Sequence, residues 1–421
     1  MMHHDQQTKA SSIRGWEVVA LLWVAFFLNQ GDRQIFGVTL SLIRSEFGLS
    51  DLQMGLIATT FSVVFGLAVP VAGVLGDRGR RERVVIASLL VFSLGTLLTG
   101  QAVGLLSLLV FRGIATGMGE ALYAPAANTL IAQHHTQTRT RALALHQTAN
   151  YTGVVLGSLF AGWIADKYGW RMSFVTFGVI GLAWAGVIAL RVRRLGTPAP
   201  RERSHAPEGE SAFASSLAGL RLVLSTPALL VQAIGFSGLV FVLVGYLTWM
   251  PTILTERFGL SLAKAGFEAV FLHHLLGYGG LLAAGWASDR WLTRRPKGRL
   301  MLMGLALMLA APWIWLSGHG GSESVVYLSL GIFGLIRGVY DANLYAAIFD
   351  HVPDRQRATV TSWIVAFAYV VAAIAPTAMG ALKQDYGVAA GMTLLAIVAA
   401  VSGLVMFATM LLHARNAGDG K

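Results

Sequence analysis

Long apolar runs separated by short polar breaks recur along the whole chain. They fall near 16–40, 52–75, 84–105, 107–131, 142–163 and 172–191, then 228–252, 264–288, 300–318, 325–348, 358–380 and 389–412. At ~1.5 Å per residue, each can cross most or all of a ~30 Å hydrocarbon layer as a helix. The pattern predicts an all-α integral membrane protein with about twelve transmembrane helices. One break is long. Residues 193–227 are polar and rich in Pro and Arg, including Arg193, Arg194, Pro198, Pro200, Arg201, Arg203 and Pro207. They read as a flexible linker between an N-terminal six-helix bundle, 1–192, and a C-terminal one, 228–421.

The two halves echo each other. Gly73-Val74-Leu75-Gly76-Asp77-Arg78, followed by Arg80-Arg81, recurs 212 positions later as Gly285-Trp286-Ala287-Ser288-Asp289-Arg290, followed by Arg294-Arg295. Arg139-Thr140-Arg141-Ala142 returns as Arg355-Gln356-Arg357-Ala358, 216 positions on, and Tyr168-Gly169 as Tyr386-Gly387, 218 on. Three echoes at nearly one offset point to duplicated six-span halves, an architecture of alternating-access transporters.

Composition agrees with the pattern. The chain is 55% hydrophobic and only 13% charged, against roughly 25% charged in a soluble domain, and its mean hydropathy is +0.62. The pI of about 10.2 would suit a nucleic-acid binder, but its origin lies in the loops. Of 32 Lys and Arg, 23 fall on the side that holds both termini and the linker, six on the other side, and Arg33, Arg112 and Arg337 inside spans. The positive-inside rule then places both termini in the cytoplasm of a plasma (inner) membrane. Zero Cys excludes disulfides and thiolate metal sites. His273-His274 near Asp289 forms no H-x-x-x-H or H-E-x-x-H pattern, so neither a metal centre nor a membrane-embedded enzyme is expected.

Charges inside spans carry the candidate chemistry. Asp32 lies ~24 Å beyond Trp16 on a helix, deep in the hydrocarbon layer. Ionised groups at that depth are costly unless they meet partners or water, so they are functional candidates by default. The plainer alternative is a helix-end pair snorkelling to the interface. Glu120 lies about midway through the fourth span and is either a proton carrier or a buried partner for an arginine. Arg33, on the next helical face from Asp32, can fix a carboxylate bidentately. Arg337 and Asp341, four residues apart, read as a self-contained structural ion pair. His273 and His274 fall mid-span, where they either donate to substrate or bond to backbone. Asn150, Tyr151, Tyr246, Trp249 and Asn343 are further candidate substrate contacts, although aromatic side chains at this depth often serve packing instead.

The loop after the second span matches the G-x-L-x-D-R-x-G-R-R signature of the major facilitator superfamily at Gly73, Leu75, Asp77, Arg78 and Arg81, and departs from it at Arg80. The chain thereby resembles that superfamily over essentially its whole length. The resemblance implies a cytoplasmic gate at Asp77, Arg78, Arg81, Asp289 and Arg290, at helix ends where an Asp with basic neighbours can latch the halves.

Three further pieces resemble the anion:cation symporter branch, which imports sugar acids and other organic anions. They are Asn29-Gln30-Gly31-Asp32-Arg33; Arg112 with Gly117-Met118-Gly119-Glu120-Ala121; and Tyr246-Leu247-Thr248-Trp249-Met250-Pro251 with Leu260-Ser261-Leu262-Ala263-Lys264-Ala265-Gly266-Phe267. Arg112 precedes Glu120 by eight residues, one more than the resemblance implies. On a regular helix that turns Arg112 away by ~100°. In the fifth span Gly153-Val154-Val155-Leu156-Gly157-Ser158 resembles the start of the antiporter signature G-x-x-x-G-P, with Ser158 where Pro belongs. That departure favours uptake over export, while the glycines suit close helix contact.

The expectation is a monomeric secondary active transporter that imports a small organic anion such as a sugar acid, by alternating access. Protons carried by Asp32 and Glu120 would be the coupling ion, with no cofactor. Arg33 and Arg112 would hold the anion. A spinster-like lysolipid transporter, or another efflux carrier of the superfamily, is the alternative; it shares the Asp-Arg and Gly-x-Gly-Glu-Ala elements.

Overall fold

A computed structural model describes residues 2–78, 81–135, 138–195, 212–291, 296–353 and 356–416. Among them the chain is helical, with no strands. The first half contains α1 (Met2–Phe47), α2 (Asp51–Arg78), α3 (Arg81–Thr99), α4 (Leu105–His134), α5 (Arg139–Tyr168) and α6 (Trp170–Leu195). A short helix, α7 (Ala212–Ser225), precedes the second half. That half contains α8 (Pro227–Phe258), α9 (Leu262–Trp291), α10 (Pro296–His319), α11 (Glu323–Phe349), α12 (Thr359–Tyr386) and α13 (Val388–Asn416). Ten of these helices are long and apolar enough to cross a membrane. The other two long ones are α1 and α5, which carry the polar residues singled out above. A band of exposed apolar side chains, including Leu67, Phe160, Leu190, Leu282 and Leu404, suits lipid contact. Helices are the expected spanning form, because their backbone groups pair within the segment.

The packing repeats as the sequence does. In the first half α1 packs on α5, α2 on α4, and α3 on α6; in the second, α8 packs on α12, α9 on α11, and α10 on α13. The halves meet where α1 crosses α8 and along the equivalent pairs α2–α12 and α5–α9. Four glycines with positive φ end helices on the face opposite the one from which α1 enters. They form two repeat pairs. Gly48 and Gly259 (φ 60° and 67°) each sit in a Phe-Gly-Leu-Ser sequence, while Gly169 and Gly387 (φ 84° and 80°) each follow a Tyr. A residue with a side chain would be strained at these positive φ angles, and each glycine follows the end of its helix.

The linker needs a correction. Residues 212–225, expected to be flexible, are helical as α7. Trp363 on α12 donates its indole N–H to the Ser216 carbonyl at 2.8 Å. An apolar face in this segment gains burial against the second bundle, and that outweighs its polar surroundings. Residues 196–211 lie outside the described residues.

Candidate functional site

The mid-membrane charges of the first half converge into one knot. Gly31 of α1 and Gly153 and Gly157 of α5 let the two helices approach closely. Added Cβ atoms on Gly153 and Gly157 would strike the backbone of Phe27 and Gly31, so the expected role of these glycines in close helix contact is met. From this crossing Asp32 and Arg33 reach α3 and α4. The Thr96 hydroxyl lies 2.7 Å from Asp32 Oδ2 and 2.9 Å from the Phe92 carbonyl oxygen. It has one proton and can donate to only one of them at a time. Asp32 is buried, and its Oδ1 has no partner among the described residues.

Arg33 ion-pairs through Nε with Glu120 Oε2. Its Nη1 lies 3.4 Å from the Tyr369 hydroxyl of α12, across the boundary between the halves. Its guanidinium also rests over Phe65, 4.4 Å from the ring centroid, a favourable cation–π arrangement. The Glu120 side chain has no exposure, whereas that of Arg33 keeps 17%. The Arg33 side chain is therefore the member of this pair with surface left for a solute to reach.

The Arg112 spacing is resolved by a π-helical segment, Leu109–Thr116, within α4. Thr116 Oγ1 donates to the Phe111 carbonyl, five residues back, at 2.9 Å. The wider turn absorbs the extra residue, and the expected ~100° displacement does not occur. Arg112 Nη1 lies 3.8 Å from Glu120 Oε1, Nη2 donates to the Arg33 carbonyl at 3.2 Å, and the guanidinium rests 4.5 Å over Phe61. The repeat supplies an internal reference. Gly113-Ile114-Ala115-Thr116-Gly117 stands against Gly331-Ile332-Phe333-Gly334 in α11, so α4 carries one residue more. Beyond that point Gly117, Glu120 and Tyr123 correspond to Gly334, Arg337 and Tyr340. The packing keeps the same register: Gly117 abuts Phe61 of α2, and Gly334 abuts His273 of α9, 212 positions after Phe61.

The second half therefore places Arg337 where the first places Glu120. Arg337 Nε lies 3.0 Å from Asp341 Oδ2, the expected pair on one helix, with side-chain exposures of 18% and 22%. Arg337 Nη1 lies 2.9 Å from His273 Nε2. A guanidinium can only donate, so Nε2 accepts and the His273 proton sits on Nδ1, 3.3 Å from the Leu330 carbonyl. His274 Nδ1 bonds back to the Val270 carbonyl at 2.8 Å, and its ring meets Tyr151 of α5, centroids 6.1 Å apart. Tyr151 also meets Tyr278 at 5.7 Å, while its neighbour Asn150 is half-buried.

Three candidate contacts sit in packing instead. Tyr246 is buried with its hydroxyl donating to the Ala269 carbonyl. Trp249 is buried and donates to the Pro376 carbonyl at 3.0 Å. Asn343 is buried and donates to the Val339 carbonyl at 2.9 Å. The Tyr246 hydroxyl, the Trp249 indole N–H and the Asn343 amide N–H are met by backbone carbonyls, while Asn343 Oδ1 has no hydrogen-bond partner among the described residues. Of the gate residues, the side chains of Asp77, Arg78 and Asp289 lie outside the described residues. Arg81 begins α3, and Arg290 is exposed, 5.8 Å over Trp286. The sequence reading missed Thr96, Tyr369, Phe61 and Phe65. None carries a charge, and nothing in an apolar run marks one Thr, Tyr or Phe above another.

Comparison with known proteins identifies the family. Residues 22–376 match the model of the Major Facilitator Superfamily, and the chain belongs to that superfamily. It is similar to the hexuronate transporter of Bacillus subtilis, 26% identical, over 93% of this chain and 92% of that one. It is similar also to an MFS-type efflux pump of Mycolicibacterium smegmatis, 27% identical, over 94% and 92%. In structure it resembles a bacterial homolog of the human lysosomal transporter spinster, inward-facing and unoccupied, with a TM-score of 0.80, 19% identity, and coverage of 94% and 97%. The chain is a multi-pass membrane transporter, not an enzyme.

Proposed function

We propose that this superfamily member imports a small organic anion, such as a sugar acid, together with protons. The observation that carries the reading is the Arg33–Glu120 pair, in which a partly exposed arginine leans on a fully buried carboxylate. An incoming carboxylate competes with Glu120 for Arg33, which offers it two parallel N–H groups. Two arginines and two carboxylates balance in the empty knot. A bound anion adds one negative charge at low dielectric, and a proton on Glu120 or Asp32 restores the balance. The Asp32 and Glu120 carboxyl groups neighbour each other, so either can serve as the acceptor, and Arg112 holds the second cation against them. Substrate binding and proton uptake then become one event.

Tyr369 links this event to movement. It belongs to the half opposite Arg33, so an anion that draws Arg33 away from Glu120 also disturbs a contact between the halves. Such differential contact is what lets a ligand shift a conformational equilibrium. His274, Tyr151 and Asn150 would receive hydroxyl groups of the substrate. The bias of basic loops supports orienting both termini to the cytoplasm, with the Asp77 and Asp289 loops as the gate on that side.

Uptake of labelled glucuronate into proteoliposomes tests the reading. An acid-outside gradient is expected to drive accumulation, and collapse of that gradient with a protonophore to abolish it. Accumulation indifferent to the gradient would reject proton coupling. A thermal-shift panel of sugar acids and lysophospholipids separates the readings of substrate class. Stabilisation by lysophospholipid alone would favour the spinster-like alternative suggested by shared motifs.

A further inference from the structure

On the face opposite the entry of α1, four charges from both halves form a ring. Arg44, in the last turn of α1, pairs with Asp51 of α2 at 2.6 Å and with Glu256 of α8 at 2.9 Å. Lys383 of α12 contacts the same two carboxylates at 3.2 Å and 2.9 Å. Each cation thus bridges an acid of its own half and an acid of the other. All four contacts use only Asp51 Oδ1 and Glu256 Oε1, so removing one acid deprives both cations.

A second contact lies beside the ring. The first N–H groups of a helix have no partner within it. In α9 the Ser261 hydroxyl accepts from Lys264 N–H at 3.3 Å, and its carbonyl from Ala265 N–H at 2.8 Å. The N–H groups of Leu262 and Ala263 donate instead to Asp166 of α5, one to each carboxylate oxygen, both at 3.0 Å. One half therefore caps a helix of the other. Close backbone contacts surround both features: Gly380 abuts Asp51, Gly162 abuts Leu262 and Ala263, and Gly37 abuts Leu247 and Thr248. The duplication does not by itself produce the cap, since 218 positions after Asp166 stands Gln384.

We propose that this ring and the Asp166 cap form the gate that holds the opposite face closed, and that Arg44, Asp51, Asp166, Glu256 and Lys383 set the conformational step by which that face opens. Side-chain exposures of 30%, 14%, 32% and 9% for Arg44, Asp51, Glu256 and Lys383 keep the ring close to water. Its charges are rehydrated when it parts, which makes the closure reversible. The cap behaves alike, because water can take over the two freed N–H groups.

The chain has no Cys, so reporters can be added to it directly. The hydroxyl oxygens of Thr59 and Thr377 lie 2.7 Å apart across the halves, and the pair Thr59→Cys with Thr377→Cys reports closure by oxidative cross-linking in membranes. Asp51→Asn with Glu256→Gln should lower the cross-linking rate by about fivefold or more, a typical coupling factor. Asp166→Ala should lower it independently. The charge exchange Arg44→Glu with Glu256→Arg should recover more of the rate than either single exchange. It also keeps the number of charges, so it guards against simple misfolding. Unchanged cross-linking in both the ring and the Asp166 variants, or an exchange no better than its single changes, would overturn the proposal. No substrate enters this measurement, so its outcome is separate from that of the transport assay.

Discussion

The two halves share one frame and use it differently. At equivalent positions the first half carries Glu120 and the second Arg337. At the equivalent neighbour, the first half offers Phe61 and the second His273. Glu120 is completely buried and takes its cation from another helix, α1. Arg337 finds its anion one turn along its own helix and keeps contact with solvent. A pair within one helix brings no second element with it, and partial hydration makes its loss inexpensive. A pair between helices whose carboxylate is fully buried ties those helices together, and breaking it deprives that carboxylate of a partner. Under the proposed function, substrate and proton chemistry fall to the first half, and the Arg337–Asp341 pair gives support.

The largest effect is expected at Arg33. Arg33→Ala should abolish binding of the anionic probe. Arg33→Lys keeps the charge but loses the planar fork, so affinity should fall by ~1–3 kcal/mol, measured by titration calorimetry. Wild-type affinity in either variant would move the anion site to Arg112 or Arg337.

Next come the carboxylates. Glu120→Gln and Asp32→Asn mimic permanently protonated groups. Each should lose acid-driven accumulation while still exchanging labelled for unlabelled substrate, because exchange need not release the proton. Normal accumulation with an unchanged pH profile in both variants would place the proton elsewhere.

Thr96 should matter less. Thr96→Val removes a hydrogen bond to a buried carboxylate, roughly 1–2 kcal/mol, and acid-driven uptake should slow by about tenfold. Thr96→Ser keeps the donor and should stay near wild type. Equal behaviour of the two variants would deny the hydroxyl a role.

Helix α4 allows a finer test. Deleting Ala115 should let the π segment relax to a regular helix with Arg112 seven residues before Glu120, still on its face. Inserting an alanine after Thr116 turns Arg112 away by ~100°. Anion binding should therefore survive the deletion better than the insertion, and the reverse order would break the account of the extra residue.

The smallest effect is expected in the second half. His273→Phe makes its neighbour like that of the first half and removes one contact of Arg337. Binding should change by no more than about 1 kcal/mol. A loss comparable to that of Arg33→Lys would erase the contrast between the halves.

Much of this was legible in the chain. Apolar periodicity marked the helices because a bilayer forces each spanning segment to be long and self-bonded. Spaced echoes such as Asp77-Arg78 and Asp289-Arg290 revealed the duplication. The intramembrane Asp32, Arg33, Arg112 and Glu120 stood out because charges there are rare and costly. Tertiary structure alone decided which of them meet. Arg33 and Glu120 are 87 residues apart, and Arg33 and Tyr369 are 336 apart; such contacts follow from helix crossings that no local pattern encodes. Spacing argued against Arg112 until a π turn restored its face. Tyr246 and Trp249 looked available for substrate, yet backbone carbonyls meet the hydroxyl of one and the indole N–H of the other. Periodicity tells which face of a helix is apolar, whereas the partner across that face depends on how the helices cross, and the crossings are set where glycines such as Gly31 and Gly157 let two backbones touch.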